Sequence, residues 1–338
     1  MANLSTNNPF VFTKPVSPDK FIGREHELNV VLPRILQGGS CIITGQPRIG
    51  KSSLLQKIAS MISENTNNDQ VFIPISLSSA ISSATFTDTE QDFFQHVVKL
   101  VSEAAKAPKS YNELHDLLDF DDFLELLSNE HKRVILLVDG LGWLLEKVGT
   151  DFWWKMRASV QYGSLVFVAF SRLAFQQLYE NTTDKMTSPF VNVLFSYALT
   201  PFSEEQTIKL IDTYSEKNYF TPKDKRVIWQ LSGGHPFLAQ ISASLIWEKR
   251  VNTQPVSKFG YSSLFDETVE LAKPHFWDTW RYLSPSEQTI GLMLSIRDLA
   301  QITNFDTSEL DNVLKQYQKE IYTLKQTGLL RVESEKVY

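Results

Sequence analysis

Cysteine is nearly absent from this sequence, in which Cys41 is the only one among 338 residues. A disulfide framework within the chain is therefore excluded, and a reducing, cytoplasmic location is expected. Residues 1–15 lack the basic start and apolar core of a secretory signal. The longest apolar runs, such as VILLV and LVFVAF, are strand-sized and fall short of the roughly 18 residues of a membrane span. We therefore expect no membrane association.

Positively charged residues are also fewer than negatively charged ones. The chain has 33 Lys and Arg against 39 Asp and Glu, a formal net charge of −6. This balance provides no overall attraction to nucleic acid. Residues 275–338 carry seven Lys and Arg against nine Asp and Glu, whereas a segment that binds a DNA duplex should be basic. Nucleic acid is therefore not favoured as a partner.

The apolar pattern predicts a leader followed by three domains. Residues 1–20 are polar, contain three prolines and read as an extended leader. Residues 21–200 alternate short apolar runs with helical stretches, which is typical of a parallel sheet covered on both faces. This segment is predicted to be a three-layer α/β domain. The predicted strands are 41–44, 71–77, 134–138, 165–170 and 191–199.

The remainder of the chain is predicted to be helical. Residues 201–262 are predicted to form a small helical lid, with a capped start at Ser203 and helices at 222–232 and 236–250. Residues 263–338 are predicted to form a winged-helix-like domain. In that domain the apolar spacing predicts one helix from Leu310 to Leu324, which Gly328 ends and a short hairpin follows.

A glycine-rich stretch, GQPRIGKSS, carries the clearest chemical signal. It fits the pattern G-x-x-x-x-G-K-S, in which glycines let backbone N–H groups surround a phosphate at a helix N-terminus. Lys51 would supply charge to the outer phosphates, and the Ser52 hydroxyl would ligate Mg²⁺. We name this stretch the P-loop. Its residues are Gly45, Gln46, Pro47, Arg48, Ile49, Gly50, Lys51, Ser52 and Ser53.

A phosphate-binding loop also requires a carboxylate that holds Mg²⁺. The strand-like run VILLV is followed directly by Asp139, which is the expected position for that carboxylate. A second acid, which would polarise the attacking water, is missing from the residues that follow, Gly140 to Trp143. Glu146 is the next acid along the chain and lies about two helical turns away. The sequence therefore favours nucleotide sensing over fast hydrolysis.

Five motifs in order resemble the STAND class of signalling P-loop NTPases and the wider AAA-like ATPases with a winged helix. They are FIGREHEL at 21–28, the P-loop wording PRIGKSSLL, the strand ending in Asp139, AFSR ending in Arg172, and SGGHPFLAQ at 232–240. The resemblance spans roughly residues 20–338 and implies ATP or ADP with Mg²⁺ as ligands.

The resemblance also implies roles for individual residues. Pro236 would touch adenine with His235 nearby, and Arg172 would reach the terminal phosphate. Each has an alternative, since Arg172 could cap a helix and His235 could merely pack within the lid. With Lys51 and Asp139, Arg172 completes the set of candidate catalytic residues. The residues expected to pack against adenine at the first motif are Phe21, Ile22, Gly23 and Arg24.

Three functions follow from these motifs. The leading hypothesis is a nucleotide-controlled switch that governs self-assembly or a protein partner. An alternative is a DNA-associated AAA-like ATPase, such as a replication-initiator-like protein or a transposition regulator. A third interpretation is an ordinary turnover ATPase, which the missing second acid weakens.

Overall fold

The chain is divided into two compact units in the computed structural model. The sheet unit comprises the described residues of Ser17–Thr44 and Lys51–Tyr197, and the helical unit those of Met1–Val16, Gly45–Gly50 and Ala198–Tyr338. The structure describes residues 8–65, 70–78, 90–105, 117–162, 165–173, 178, 189–252, 261–303, 306, 308–326, 329–330, 332–333 and 336–337. Within these ranges no helix combines the length and the apolar composition needed to cross a membrane.

A five-stranded sheet in the order β2–β3–β4–β1–β5 organises the sheet unit. Its strands are β1 (Cys41–Thr44), β2 (Val71–Ser78), β3 (Lys132–Asp139), β4 (Leu165–Ser171) and β5 (Phe195–Ala198). The pairs β2–β3, β3–β4 and β4–β1 are parallel. Every residue of β1 and β4 is buried, as expected for parallel strands covered on both faces. The predicted α/β P-loop fold with a parallel sheet is confirmed.

The fifth predicted strand is wrong in its extent. Residues 191–199 were expected to form one strand, but a 3₁₀ helix covers Pro189–Val193 and β5 begins only at Phe195. Val191 and Val193 pack against the core from this 3₁₀ helix. Their apolar side chains are thus partly buried without strand pairing, which the apolar pattern could not distinguish from a strand.

Helices flank the sheet and bury their apolar faces. They are α1 (Glu25–Leu36), α2 (Lys51–Glu64), α3 (Glu90–Ala105), α4 (Leu117–Asn129), α5 (Gly142–Leu145) and α6 (Thr150–Gln161). Aromatic rings connect α3 and α6, where Phe152 lies edge-on to Phe93 with 5.3 Å between ring centroids. Trp153 is 1% exposed and belongs to the same core. These contacts stabilise the sheet that supports the candidate site.

The helical unit begins with two well-capped helices. Its helices are α7 (Glu204–Tyr214), α8 (Pro222–Ser232), α9 (Pro236–Asn252), α10 (Ser262–Arg281), α11 (Pro285–Thr303), α12 (Ser308–Leu314) and α13 (Gln318–Gln326). Ser203 caps α7 as predicted, and the reciprocal partner in this capping box is Gln206. Thr221 and Asp224 form a second capping box at the start of α8.

The predicted single helix from Leu310 to Leu324 is wrong, because the chain forms α12 and α13 with a break between them. A straight helix over that range would spread its apolar residues along about 21 Å. The two shorter helices instead direct their apolar residues into one small core. Leu314, Ile321 and Leu324 share that core with Ile290 and Leu294 of α11.

The predicted hairpin is present. Strand β6 (Val332–Glu333) pairs antiparallel with β7 (Lys336–Val337). The predicted helix stop at Gly328 lies outside the described residues. Assignment of the C-terminal segment as a winged helix, and the domain boundaries at 20, 200 and 262, stay predictions.

Candidate nucleotide-binding site

The P-loop connects β1 to α2 through a backbone that only certain residues can adopt. Gly50 has φ 101°, in a region that favours glycine. Gly45 is required for a different reason, since a Cβ there would lie 3.0 Å from Ile49 Cγ2 and 3.2 Å from Leu199 Cβ. Arg48 has φ 60° although it is not a glycine, which costs about 1–3 kcal/mol. Such a strained residue directs attention to its side chain.

The start of α2 places two P-loop side chains next to Asp139. Ser52 Oγ donates a hydrogen bond to Asp139 Oδ2 at 2.6 Å. Burial lowers the pKa of Lys51 to about 8, an effect that the Asp139 carboxylate opposes and the Arg172 guanidinium reinforces. At pH 7 the Lys51 ammonium form therefore predominates. A cationic, a hydroxyl and a carboxylate group thus meet at the start of α2, and groups of these kinds could contact a phosphate and Mg²⁺.

The sheet register explains why Asp139 and Arg172 lie near the P-loop. Thr44 at the end of β1 is aligned with Ser171 at the end of β4, and Asp139 is aligned with Phe170. The ends of β1, β3 and β4 therefore meet at the carboxyl edge of the sheet, where open α/β sheets bind ligands. Arg172 follows β4 directly at this edge.

The structure also accounts for the missing second acid. Gly140 has φ 77°, which disfavours a glutamate at the first position after Asp139. The N–H groups of Gly140 and Leu141 both donate to the Phe170 carbonyl oxygen, at 2.9 and 3.1 Å. The Leu141 side chain is fully buried in the core, and Glu146 is exposed. A carboxylate at either of the two positions after Asp139 would therefore require strain or burial.

The segment predicted to pack against adenine contains a buried ion pair that the sequence did not reveal. Arg24 Nη1 lies 2.7 Å from Glu27 Oε1, and both side chains are under 10% exposed. Burial lowers the pKa of Arg24, and Glu27 opposes that shift. Gly23 turns the chain with φ 82°, and Phe21 and Ile22 remain partly exposed. The Arg–Glu spacing of three residues at the start of a helix was the available signal.

The motif SGGHPFLAQ forms the turn between α8 and α9 of the helical unit. Gly234 is required there, because a Cβ would lie 2.1 Å from the Phe202 carbonyl oxygen. Pro236 starts α9, and His235, which is 5% exposed, lies with its ring 5.1 Å from that of His275. The role of His235 and Pro236 in binding a base stays a prediction.

Comparisons with solved structures show likeness along almost the whole chain. The ORC2 protein of Aeropyrum pernix, in ADPNP–ADP complexes, has a TM-score of 0.60 at 12% identity, covering 96% of this chain and 91% of that chain. The Walker-type ATPase PABY2304 of Pyrococcus abyssi has a TM-score of 0.59 at 14% identity, covering 98% and 96%. The Aeropyrum pernix ORC1 protein in complex with DNA has a TM-score of 0.54 at 14% identity, covering 97% and 90%. At these identities the likeness shows the fold.

The sequence comparisons identify the family. No curated protein gave a significant match. Residues 21–240 match the family described as ATPase domain predominantly from Archaea, and this range includes the P-loop, Asp139, Arg172 and Pro236. The findings support an ATPase domain with the P-loop α/β fold, and they do not show the STAND class. Because the match spans more than half of its length, the chain belongs to this family of ATPase domains found predominantly in Archaea.

Proposed function

We propose that this protein is an adenine-nucleotide switch that binds ATP or ADP with Mg²⁺ and hydrolyses ATP slowly. One observation carries the proposal: the Ser52–Asp139 hydrogen bond lies beside Lys51, while the two positions after Asp139 hold a glycine at positive φ and a buried leucine. The Ser52 hydroxyl would ligate Mg²⁺, and Asp139 would hold it through water. The ion would neutralise phosphate charge.

The remaining contacts of the nucleotide are proposed from the motifs. The P-loop N–H groups would hold the phosphates, and the segment Phe21–Arg24 would pack against adenine. Pro236 would touch the base, with His235 near it. The order of these motifs along the chain and the family match over residues 21–240 support this assignment.

ATP hydrolysis by the isolated protein is expected to be slow. Phosphate release should stay well below the roughly 1–10³ per second of typical enzymes, because neither position after Asp139 carries a carboxylate. A continuous phosphate assay with saturating Mg·ATP measures this rate, and a Lys51→Ala protein measures the background. Release at several turnovers per second would show that a carboxylate elsewhere, such as one from a second copy, completes the site.

The γ-phosphate provides a physical basis for switching. Lys51 and Arg172 repel each other at the carboxyl edge of the sheet, since Arg172 contributes to the lowered pKa of Lys51. An additional phosphate would relieve that repulsion and accept a charge-assisted hydrogen bond from Arg172. A ligand shifts a conformational equilibrium only through such differential contacts. ATP would therefore favour one arrangement of the helical unit and ADP another.

Small-angle X-ray scattering with ADP and with a non-hydrolysable ATP analogue tests the switch. The two profiles, or the mass from light scattering, are expected to differ for the wild type and to coincide for Arg172→Ala. Arg157→Ala on α6, which removes the same charge outside the five motifs, should behave as the wild type. Identical wild-type profiles in both nucleotides would defeat the switch.

A DNA-associated role is the finer function that the comparisons favour over STAND signalling. The likeness to the ORC2 and ORC1 proteins, one of them solved with DNA, extends over at least 96% of this chain. The acidic balance of residues 275–338 weighs against nonspecific duplex binding. Fluorescence anisotropy with a labelled duplex, at two salt concentrations and in each nucleotide, decides between the DNA role and a role that depends on a protein partner or self-assembly. Salt-dependent binding supports the DNA role, and its absence favours a protein partner or self-assembly.

A further inference from the structure

The N-terminal residues form a strap that is anchored in the helical unit. We define the strap as residues 8–12. Asn8 Nδ2 donates to Ser244 Oγ at 2.7 Å and to Glu248 Oε1 at 2.9 Å, both on α9. The Phe10 N–H in turn donates to Asn8 Oδ1 at 3.1 Å, which closes a local turn. These bonds tie the start of the described chain to α9.

Phe10 anchors the strap in an apolar core. It is 4% exposed, and its ring lies 5.6 Å edge-on from Phe220 and 6.2 Å from Tyr214. An aromatic side chain buried in this way contributes substantially to holding its segment in place. The strap is therefore an integral part of the helical unit, although the polar composition of residues 1–20 predicts only an extended leader.

Arg48 of the P-loop contacts both the strap and the first turn of α9. Its Nη1 donates to the Phe12 carbonyl oxygen at 3.3 Å. Its guanidinium carbon lies 4.6 Å from the centroid of the Phe237 ring, and the Phe12 ring lies 6.1 Å edge-on from the same ring. Phe237 directly follows Pro236, the first residue of α9. One side chain thus joins three segments that are distant in sequence.

We propose that Arg48 is a positioning residue that couples the P-loop to the strap and to the first turn of α9. The inference rests on the proposed nucleotide binding. A phosphate bound by the P-loop N–H groups would hold the Arg48 backbone in its left-handed conformation, and thereby hold the guanidinium against Phe12 and Phe237. Coupling of this kind is reciprocal: whatever the nucleotide adds to the order of the strap, an ordered strap adds to nucleotide affinity.

The test compares Arg48→Asn with Arg157→Asn in the full chain. Asparagine tolerates a positive φ, so the first variant removes the guanidinium without adding backbone strain. The control removes the same charge from a comparable contact, since the Arg157 guanidinium carbon lies 5.8 Å from the Trp154 ring centroid. Arg48→Lys keeps a cation over the ring and should restore most of any loss.

Hydrogen–deuterium exchange of the strap and of the first turn of α9 is the main measurement. Without nucleotide, exchange in both segments should be about 5-fold faster in Arg48→Asn than in Arg157→Asn. ADP should slow exchange in the strap of the wild type and of the control, and should not slow it in Arg48→Asn. Calorimetry should show an ADP affinity about 5-fold weaker for Arg48→Asn than for the control.

Each alternative outcome has a distinct meaning. Weaker ADP binding with unchanged strap exchange would make Arg48 a direct ligand of the nucleotide and overturn the coupling. Equal exchange in the two Asn variants would overturn it as well, even in a protein that binds ADP. Failure of the wild type to bind ADP would defeat the proposed function, and the nucleotide-free exchange would still decide whether Arg48 holds the strap.

Discussion

Replacement of Lys51 by alanine is expected to weaken ADP affinity by at least about 100-fold, or about 2.7 kcal/mol. Lys51 is the P-loop residue that starts α2, and its ammonium lies near the Asp139 carboxylate. Its removal would take away a charge-assisted bond to the phosphates and leave the anionic Asp139 facing them. Both consequences act in the same direction, so the effect should be large.

Calorimetry at pH 7 measures this effect, at a pH where Lys51 in the wild type is mainly protonated. Lys57→Ala is the matched control, because Lys57 lies on the same helix α2 and its replacement removes the same charge. Its ADP affinity should stay within about 2-fold of the wild type. An unchanged affinity in Lys51→Ala, with native far-UV circular dichroism, would refute the assignment of the P-loop as the nucleotide site.

Replacement of Asp224 by alanine is expected to destabilise the helical unit by about 3–5 kcal/mol. Asp224 is fully buried and accepts hydrogen bonds from the Thr221 N–H and hydroxyl, both at 2.6 Å, and from the Tyr261 hydroxyl at 2.7 Å. It also forms an ion pair with Arg250, whose side chain is 10% exposed. Alanine would leave a buried guanidinium without its counter-ion, together with several donors deprived of their acceptor.

A surface pair in the same unit provides the control. Asp212 lies 2.6 Å from Lys225 but is 47% exposed, so Asp212→Ala should cost at most about 1 kcal/mol. Urea unfolding followed by circular dichroism measures both variants. The double variant Asp224→Ala/Arg250→Met should be less destabilised than the sum of the single changes. Equal losses for Asp224→Ala and Asp212→Ala would show that the buried network contributes little.

The pH dependence of stability should carry the same signature. Although burial opposes it, the hydrogen bonds from Thr221, Tyr261 and Arg250 hold the pKa of Asp224 below its ordinary value of 3.8. The carboxylate therefore contributes stability that is fully present above pH 3.8. This stability is lost as the pH falls through the lower pKa of the folded state.

The chemistry of the candidate site could be predicted because its residues lie in short contiguous motifs. The P-loop and the strand that ends in Asp139 are each legible within about ten residues, and the sheet register then brings Asp139 beside Ser52. The ion pair between Arg24 and Glu27 could not be predicted with the same ease. Its importance depends on burial, which a spacing of three residues does not reveal.

The fold errors have one common cause. In residues 191–199 and in the helix expected from Leu310 to Leu324, most apolar positions do face a core, although Phe195 is exposed. Apolar periodicity records that a side chain is buried, but it does not record whether the backbone is paired, straight or broken on the way. The 3₁₀ helix before β5 and the break between α12 and α13 both satisfy the same apolar pattern.

The sequence by itself determined the α/β class, the P-loop, Asp139 and the lack of a second acid after it, since these depend on local composition and spacing. Only the tertiary structure decided which contacts Gly140 and Leu141 make and which groups surround Asp224. It also decided that the Arg48 side chain contacts Phe12 and Phe237. Those contacts join residues separated by as many as 189 positions. The physical reason is that burial and side-chain partners arise when distant segments pack together, and no local pattern records which segments will meet.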